Sequence, residues 1–130
     1  MDGGSPIADD IRRFILTSIP SVPYLEAILL LRDDALPAWD APGLARRLYL
    51  SEKVAAELLR QLHENGVAEA DAQSPVLYRY APSSETLRQM IGRLAETYAA
   101  HLVEVTHLIH SKTGKKAQHF ADAFKWRKDP

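Results

Sequence analysis

The stretch that decides the fold runs from Leu44 to Ala70 and reads LARRLYLSEKVAAELLRQLHENGVAEA. Its apolar residues recur at helical spacing in two blocks, which Tyr49-Leu50 separates. Asp40 is placed to cap the first helix and Ser51 to cap the second, because a short side-chain oxygen accepts a free N–H at a helix start. Asn65-Gly66 ends the second helix, since glycine adopts a positive φ without penalty. The stretch therefore predicts two short helices joined by a tight turn.

The chain on both sides of this stretch predicts further elements. One helix is expected from Ser5-Pro6 to Pro20, and a second from Ser21 to about Asp34. At the end of the stretch, Val67-Ala68 favours β structure. Residues 76–80 favour it again, and turn-forming residues lie between the two. From the second helix onward, the predicted order is helix, helix, turn, helix, strand, turn, strand.

The segment 44–70 resembles the core of winged helix-turn-helix transcription regulators of the MarR-like type. The resemblance lies in a Leu-Ala pair, apolar residues through the turn, a serine cap, apolar residues at helical spacing and a closing Gly-Val pair. The residues concerned are Leu44, Ala45, Leu48, Leu50, Ser51, Val54, Leu58, Leu62, Gly66 and Val67. The resemblance implies a mainly α fold with a small β-hairpin wing, in which residues 21–82 form the winged helix-turn-helix domain. A generic helical bundle is the alternative.

The resemblance also implies which surface reads DNA. The second helix of the motif, at about residues 52–65, would enter the major groove. The candidate DNA-binding residues are Arg46, Arg47, Ser51, Lys53, Ala56, Arg60 and Arg79. Glu52 and Glu57 lie on the same face as these cations, and residues 69–75 of the expected wing contain no Lys or Arg. DNA contact is favoured over ordinary solvated surface for the basic residues.

A long apolar pattern follows Pro82 and predicts a homodimer. Ser83 or Ser84 would cap a helix that runs to about Lys112, and ~28 residues at about 1.5 Å each make a helix of about 42 Å. Such a helix exceeds what a small domain covers alone, so residues 1–20 and 83–130, the latter ending in a short basic helix, are expected to dimerise. The predicted interface residues are Ile11, Phe14, Ile15, Leu87, Ile91, Leu94, Tyr98, Leu102 and Val105. A helix folded back over its own winged domain is the alternative.

Histidines in the same region do not predict a metal site. His101, Glu104, His107 and His110 recur every three residues, a spacing that drifts around a helix and cannot bring all four to one ion. We therefore expect solvated histidines, or histidines at the edge of the apolar face, with no metal and no cofactor. The resemblance implies a small-molecule effector between the dimerisation helices and the winged domain.

Composition narrows the function classes. The chain has 130 residues, a net charge of −1 at pH 7 and no cysteine, which excludes disulfides and thiolate catalysis. It contains no glycine-rich phosphate loop and no Gly-x-Ser-x-Gly elbow, so we expect no enzyme. Without a long apolar run or a signal-like start, it is expected to be cytoplasmic and not to span a membrane.

Two functions follow from these observations. The favoured one is a dimeric DNA-binding transcription regulator that reads a palindromic site. The alternative is a winged-helix protein–protein interaction module that has lost DNA binding, which the mixed charge of the reading face and the acidic wing favour.

Overall fold

The computed structural model describes residues 6–33, 36–71 and 76–111. The chain divides into two compact units. One contains the residues up to Val22 together with those from Glu96 onward, and the other is Pro23–Ala95. The boundaries between these units fall after Val22 and after Ala95. The segments predicted from the sequence are divided after residues 20 and 82.

The described residues form six helices and one hairpin. The elements are α1 Asp9–Ser18, α2 Val22–Asp33, α3 Ala41–Leu48, α4 Glu52–Glu64, β1 Ala68–Asp71, β2 Leu77–Tyr80, α5 Glu85–Ala100 and α6, residues 102–111. This composition confirms the mainly α fold with a small β-hairpin. Among the described residues no single helix is long and apolar enough to cross a membrane. Helices α1 and α2 reach that length and apolar character only when taken together, and this pair is bent.

The two caps predicted for the central motif are confirmed. The carboxylate Oδ1 of Asp40 accepts the N–H of Gly43 at 2.8 Å, and Oγ of Ser51 accepts the N–H of Val54 at 3.1 Å. Helix α3 packs against α4. Each helix buries an alanine, Ala45 on α3 and Ala55 on α4, and small side chains let two helix backbones approach closely.

Helix α4 leads into the hairpin through the predicted glycine. Gly66 has a φ of +79°, which confirms its role as the helix stop. The two strands pair antiparallel, from Ala68 opposite Tyr80 to Asp71 opposite Leu77. Each strand begins one residue later than predicted. For β1 the reason is that Val67 still donates its N–H to a carbonyl of α4, that of Leu62. Residues 72–75 of the predicted wing lie outside the described residues.

Trp39 joins the connection between α2 and α3 to the hairpin. Its N–H donates to the carbonyl of Tyr78, and its carbonyl accepts the N–H of Tyr78, each at 2.8 Å. The Trp39 side chain is buried.

A side-chain hydrogen bond joins the end of α4 to α2. Asn65 Nδ2 donates to the phenol oxygen of Tyr24 at 2.8 Å. Burial raises the pKa of Tyr24, so the phenol stays protonated.

Helix α1 begins later than the sequence predicts. Its first residue is Asp9, and the residue at the cap is Ala8, which makes no side-chain cap hydrogen bond. The Ser5-Pro6 start is therefore corrected by three residues. The first helical hydrogen bond joins Arg12 N–H to the Ala8 carbonyl at 2.8 Å, which places Asp9 and Asp10 in the first turn, where the helix dipole favours carboxylates.

The single long helix predicted after Pro82 is divided in two. Oγ of Ser84 caps α5 by accepting the Leu87 N–H at 3.1 Å, as predicted, but α5 has 16 residues and ends at Ala100. His101 forms the break: its N–H donates to Thr97 and its carbonyl accepts from Val105. The predicted basic terminal helix lies outside the described residues.

Candidate nucleic-acid interface

Five of the seven predicted DNA-binding residues lie together on the helix-turn-helix. Arg46 and Arg47 occupy the last turn of α3, Ser51 caps α4, and Lys53 and Ala56 follow on its first turns. All five side chains are exposed. The hydroxyl of Ser51 already accepts the Val54 N–H as the cap of α4. Ser51 therefore stabilises the start of the helix whether or not it contacts a ligand.

Arg47 is held against an aromatic ring. Its guanidinium carbon lies 5.6 Å from the ring centroid of Trp39, a geometry in which the ring face attracts the cation. Because Trp39 is itself fixed by the hairpin, Arg47 has a defined position beside the motif. Arg46 extends into solvent from the same turn.

Arg60 is engaged by carboxylates of its own helix. It forms ion pairs with Glu57, one turn earlier, and with Glu64, one turn later. The hydrogen bond from Arg60 lowers the pKa of Glu57, and the two carboxylates raise the pKa of Arg60. Helix α4 carries three carboxylates, the third being Glu52, against two cations. The part of α4 beyond its first turns is therefore not a basic surface.

Arg79 is paired in the same way on the hairpin. It lies directly opposite Glu69 in the strand register, and its Nη2 is 2.9 Å from the Glu69 carboxylate. The described part of the hairpin consequently offers DNA a neutral cross-strand pair at this position. The structure thus separates Arg60 and Arg79, which are paired, from the cations beside the turn.

Tyr49 is a residue of this surface that the sequence pattern did not reveal. It follows the last turn of α3 with φ 58° and ψ 47°, and its side chain is 93% exposed. The N–H groups of Tyr49 and of the next residue, Leu50, both donate to the carbonyl of Ala45, the pattern that places a left-handed residue at the end of a helix. That position usually holds glycine, so the residue type did not mark it in the sequence, and only the structure shows it.

The predicted dimer residues differ widely in exposure. Five are buried within one chain, namely Ile11, Ile15, Ile91, Leu94 and Val105. Three are half-buried, namely Phe14, Leu87 and Tyr98. Leu102 is 54% exposed on α6, and its neighbour Val103, which was not predicted, is 63% exposed. The buried five leave little surface for a partner, so a dimer interface that used these helices would depend mainly on the exposed pair Leu102 and Val103.

The unit that contains α1 and α6 also carries an open groove of about 370 Å³. Its lining residues are Pro6, Ile7, Arg12, Val103, Glu104, His107, Leu108 and Ser111. Of the predicted histidines, His101 is half-buried, whereas His107 and His110 are exposed. Within residues 6–33, 36–71 and 76–111, no three His, Asp or Glu side chains are grouped so that they could hold a metal ion.

Comparison with known proteins bears on the fold. Protein-family models and curated proteins give no match to the chain. Among solved structures, it is similar to a MarR family protein from Bacillus stearothermophilus, with 15% identity and a TM-score of 0.52 over 88% of this chain and 83% of that one. It is also similar to the adhesin competence repressor from Streptococcus pyogenes, with 12% identity and a TM-score of 0.50 over 94% and 95%. The chain has a MarR-like winged-helix fold.

In the MarR-like fold, α3 and α4 are the helix-turn-helix, and β1 and β2 are the base of the wing. Because one fold hosts many functions, the activity of this chain must be argued from the exposed groups of its own motif. Those groups are the cations beside the turn, the paired arginines further along, and Tyr49.

Proposed function

We propose that this chain is a dimeric transcription regulator that binds double-stranded DNA through α4. The observation that supports the proposal is the group of exposed cations at the turn of an intact helix-turn-helix: Arg46, Arg47 and Lys53. In the described part of the chain, Arg46 and Lys53 form no ion pair. They are therefore available to phosphates, whereas Arg60 and Arg79 are already paired with carboxylates of their own chain.

The geometry of α4 suits the first contacts with DNA. Its N-terminal N–H groups and its dipole favour a phosphate near Ser51. Lys53 can reach a phosphate or the acceptor edge of a guanine, and the methyl group of Ala56 can pack against a thymine methyl. In a two-fold dimer, two copies of α4 would enter successive major grooves of a palindromic site, one helical turn apart. A cytoplasmic location and a small-molecule effector accompany this proposal as predictions.

The second candidate function is a protein–protein interaction module without DNA binding. It is favoured by the ion pairs that occupy Arg60 and Arg79, since these pairs remove two of the cations that a DNA-binding winged helix would use. The two functions differ in their dependence on salt, because only phosphate contacts release counterions.

The deciding experiment is selection of bound duplexes from a random DNA pool, followed by affinity measurements over a range of salt concentrations. Enrichment of a palindrome and a steep loss of affinity with salt are expected. Lys53→Ala should reduce the log–log salt slope by roughly one for each phosphate that Lys53 neutralises. Arg13→Ala is the matched control, since Arg13 is an exposed cation on α1. A dimer that binds no duplex at low salt would support the interaction module instead.

A further inference from the structure

Tyr49 is not explained by the stability of the fold. Its ring is 93% exposed, so it covers no apolar surface. Its φ of 58° makes it the one non-glycine residue with positive φ among the residues described. An L-residue is disfavoured there because its Cβ approaches a carbonyl oxygen, and glycine avoids the contact. A large side chain at this position therefore opposes folding and does nothing to pack the molecule.

The surroundings of Tyr49 are complementary to a phosphate. Arg46 and Arg47 precede it in the last turn of α3, and Lys53 follows in the first turn of α4. Glu52 is the opposing charge on that turn. Along the chain, Tyr49 thus lies between two arginines and a lysine, with one carboxylate among them, just before the N-terminus of a helix of 13 residues. An exposed aromatic donor in this setting fits an anionic polymer better than an apolar partner.

We infer that Tyr49 contacts the DNA backbone, its phenol donating a hydrogen bond to a phosphate oxygen at the edge of the groove that α4 enters. The inference rests on the proposed function. A phosphate is favoured over a base because the residues that meet base edges lie on the recognition helix itself, whereas the preceding helix crosses the backbone. The turn between them faces the groove edge, and tyrosine hydroxyls are among the groups that bind phosphates there.

The test compares Tyr49→Phe and Tyr49→Gly with the wild-type chain on the selected duplex and on unrelated duplexes. Tyr49→Phe should weaken binding about tenfold for each half-site on every duplex, because the phenylalanine ring cannot donate the hydrogen bond to the charged phosphate. The salt slope should not change, since a neutral phenol releases no counterion; Lys53→Ala, by contrast, should change it. Tyr78→Phe, on the hairpin, removes a phenol but keeps the ring that contacts His63, so it should bind as the wild type does.

Tyr49→Gly separates binding from stability. It relieves the left-handed backbone, so its Tm should equal or exceed that of the wild type, while its affinity falls at least as far as that of Tyr49→Phe. A clear drop in Tm together with a failure to bind would mean that Tyr49 has a structural role, and would overturn the inference.

The remaining outcomes are distinct. Wild-type affinity in both variants would overturn the contact while leaving the proposed function intact. If Tyr49→Phe changed the order of affinity among duplex sequences, the ring would contact bases, and this result would contradict the phosphate assignment. A wild-type chain that binds no duplex at low salt would overturn both the proposed function and this inference.

Discussion

Arg60 lies on the exposed face of α4 between Glu57 and Glu64, and all three side chains are about half exposed. Water competes for such pairs, so their contribution to stability is small. Their main effect is on the direction and charge of the guanidinium, which lies along the helix and is balanced by two carboxylates. Arg60 lowers the pKa of Glu57, so the Glu57 carboxylate stays ionised to a lower pH than an unpaired glutamate would.

We predict that Glu57→Gln strengthens DNA binding. The change removes one negative charge from the recognition helix and one of the two carboxylates that pair with Arg60. Arg60, left with Glu64 alone, is then less fully neutralised and attracts phosphates more strongly. Duplex affinity at low salt should rise several-fold, and the salt slope should become steeper by up to about one unit for each further phosphate that is neutralised. Fluorescence anisotropy with a labelled duplex measures both quantities.

The control for this prediction is Glu96→Gln, which makes the same change of charge at an exposed position of α5. If Glu57→Gln bound DNA no more tightly than Glu96→Gln, the pairing of Arg60 would not limit the interface. Arg60 would then be an ordinary solvated cation whose ion pairs do not affect DNA binding.

Single residues differ in how far their role could be read from sequence. The spacing of Glu57, Arg60 and Glu64 by three and four residues is visible in the chain, and it is the spacing of helical ion pairs. The pair of Glu69 and Arg79 depends on strand register, which the hairpin turn sets, so it could not be read in advance. The conformation of Tyr49 depends on the way α3 ends, and only the structure showed it.

At the scale of elements, local chemistry predicted the helix-turn-helix well and the C-terminal helices poorly. The caps Asp40 and Ser51 and the stop at Gly66 act within a few residues of the chain, so their side-chain types suffice to predict them. The break at His101 has no such signal, because residues 97–105 contain neither Gly nor Pro. A prediction from apolar periodicity alone therefore continued one helix through His101.

Two glycines give a matched test of these elements. At Gly66 a Cβ would lie 2.6 Å from Oγ of Ser83, on a backbone with φ +79°. At Gly92, inside α5, a Cβ would meet only ordinary van der Waals contact, 3.8 Å from Nη2 of Arg32. Gly66→Ala should lower the free energy of unfolding by about 1–3 kcal/mol, through the strained φ and the close contact. Gly92→Ala should raise it by about 0.5–1 kcal/mol through helix propensity.

Urea denaturation followed by circular dichroism measures both changes on the same scale. Opposite signs are expected for the two substitutions. Destabilisation by Gly92→Ala would show that α5 does not tolerate a methyl group at this position, and an unchanged Gly66→Ala variant would contradict the left-handed stop between α4 and β1.

At the scale of the whole molecule, burial within one chain changes which residues can test the dimer. Leu94 is completely buried, so an aspartate there would place a carboxylate in an apolar interior and unfold the chain. Loss of the dimer in that variant would then say nothing about the interface. The same reasoning applies to Ile11 and Ile91, which are also buried. Sequence periodicity identified an apolar face, but it could not separate the residues that the chain itself covers from those left for a partner.

Leu102→Asp is the better test of the proposed dimer. Leu102 is 54% exposed and lies beside Val103, which is 63% exposed, so these two side chains give α6 an apolar surface that a second copy could cover. In a monomer the new carboxylate stays in water and costs little, whereas in a dimer it would have to be desolvated. We expect folded monomers in sedimentation velocity, with helical content unchanged and with binding to a palindromic duplex much weaker than that of the wild type. Val76→Asp, at a 43% exposed position next to the hairpin, should remain dimeric. A dimer that survives both Leu102→Asp and Val103→Asp would place the interface away from α6.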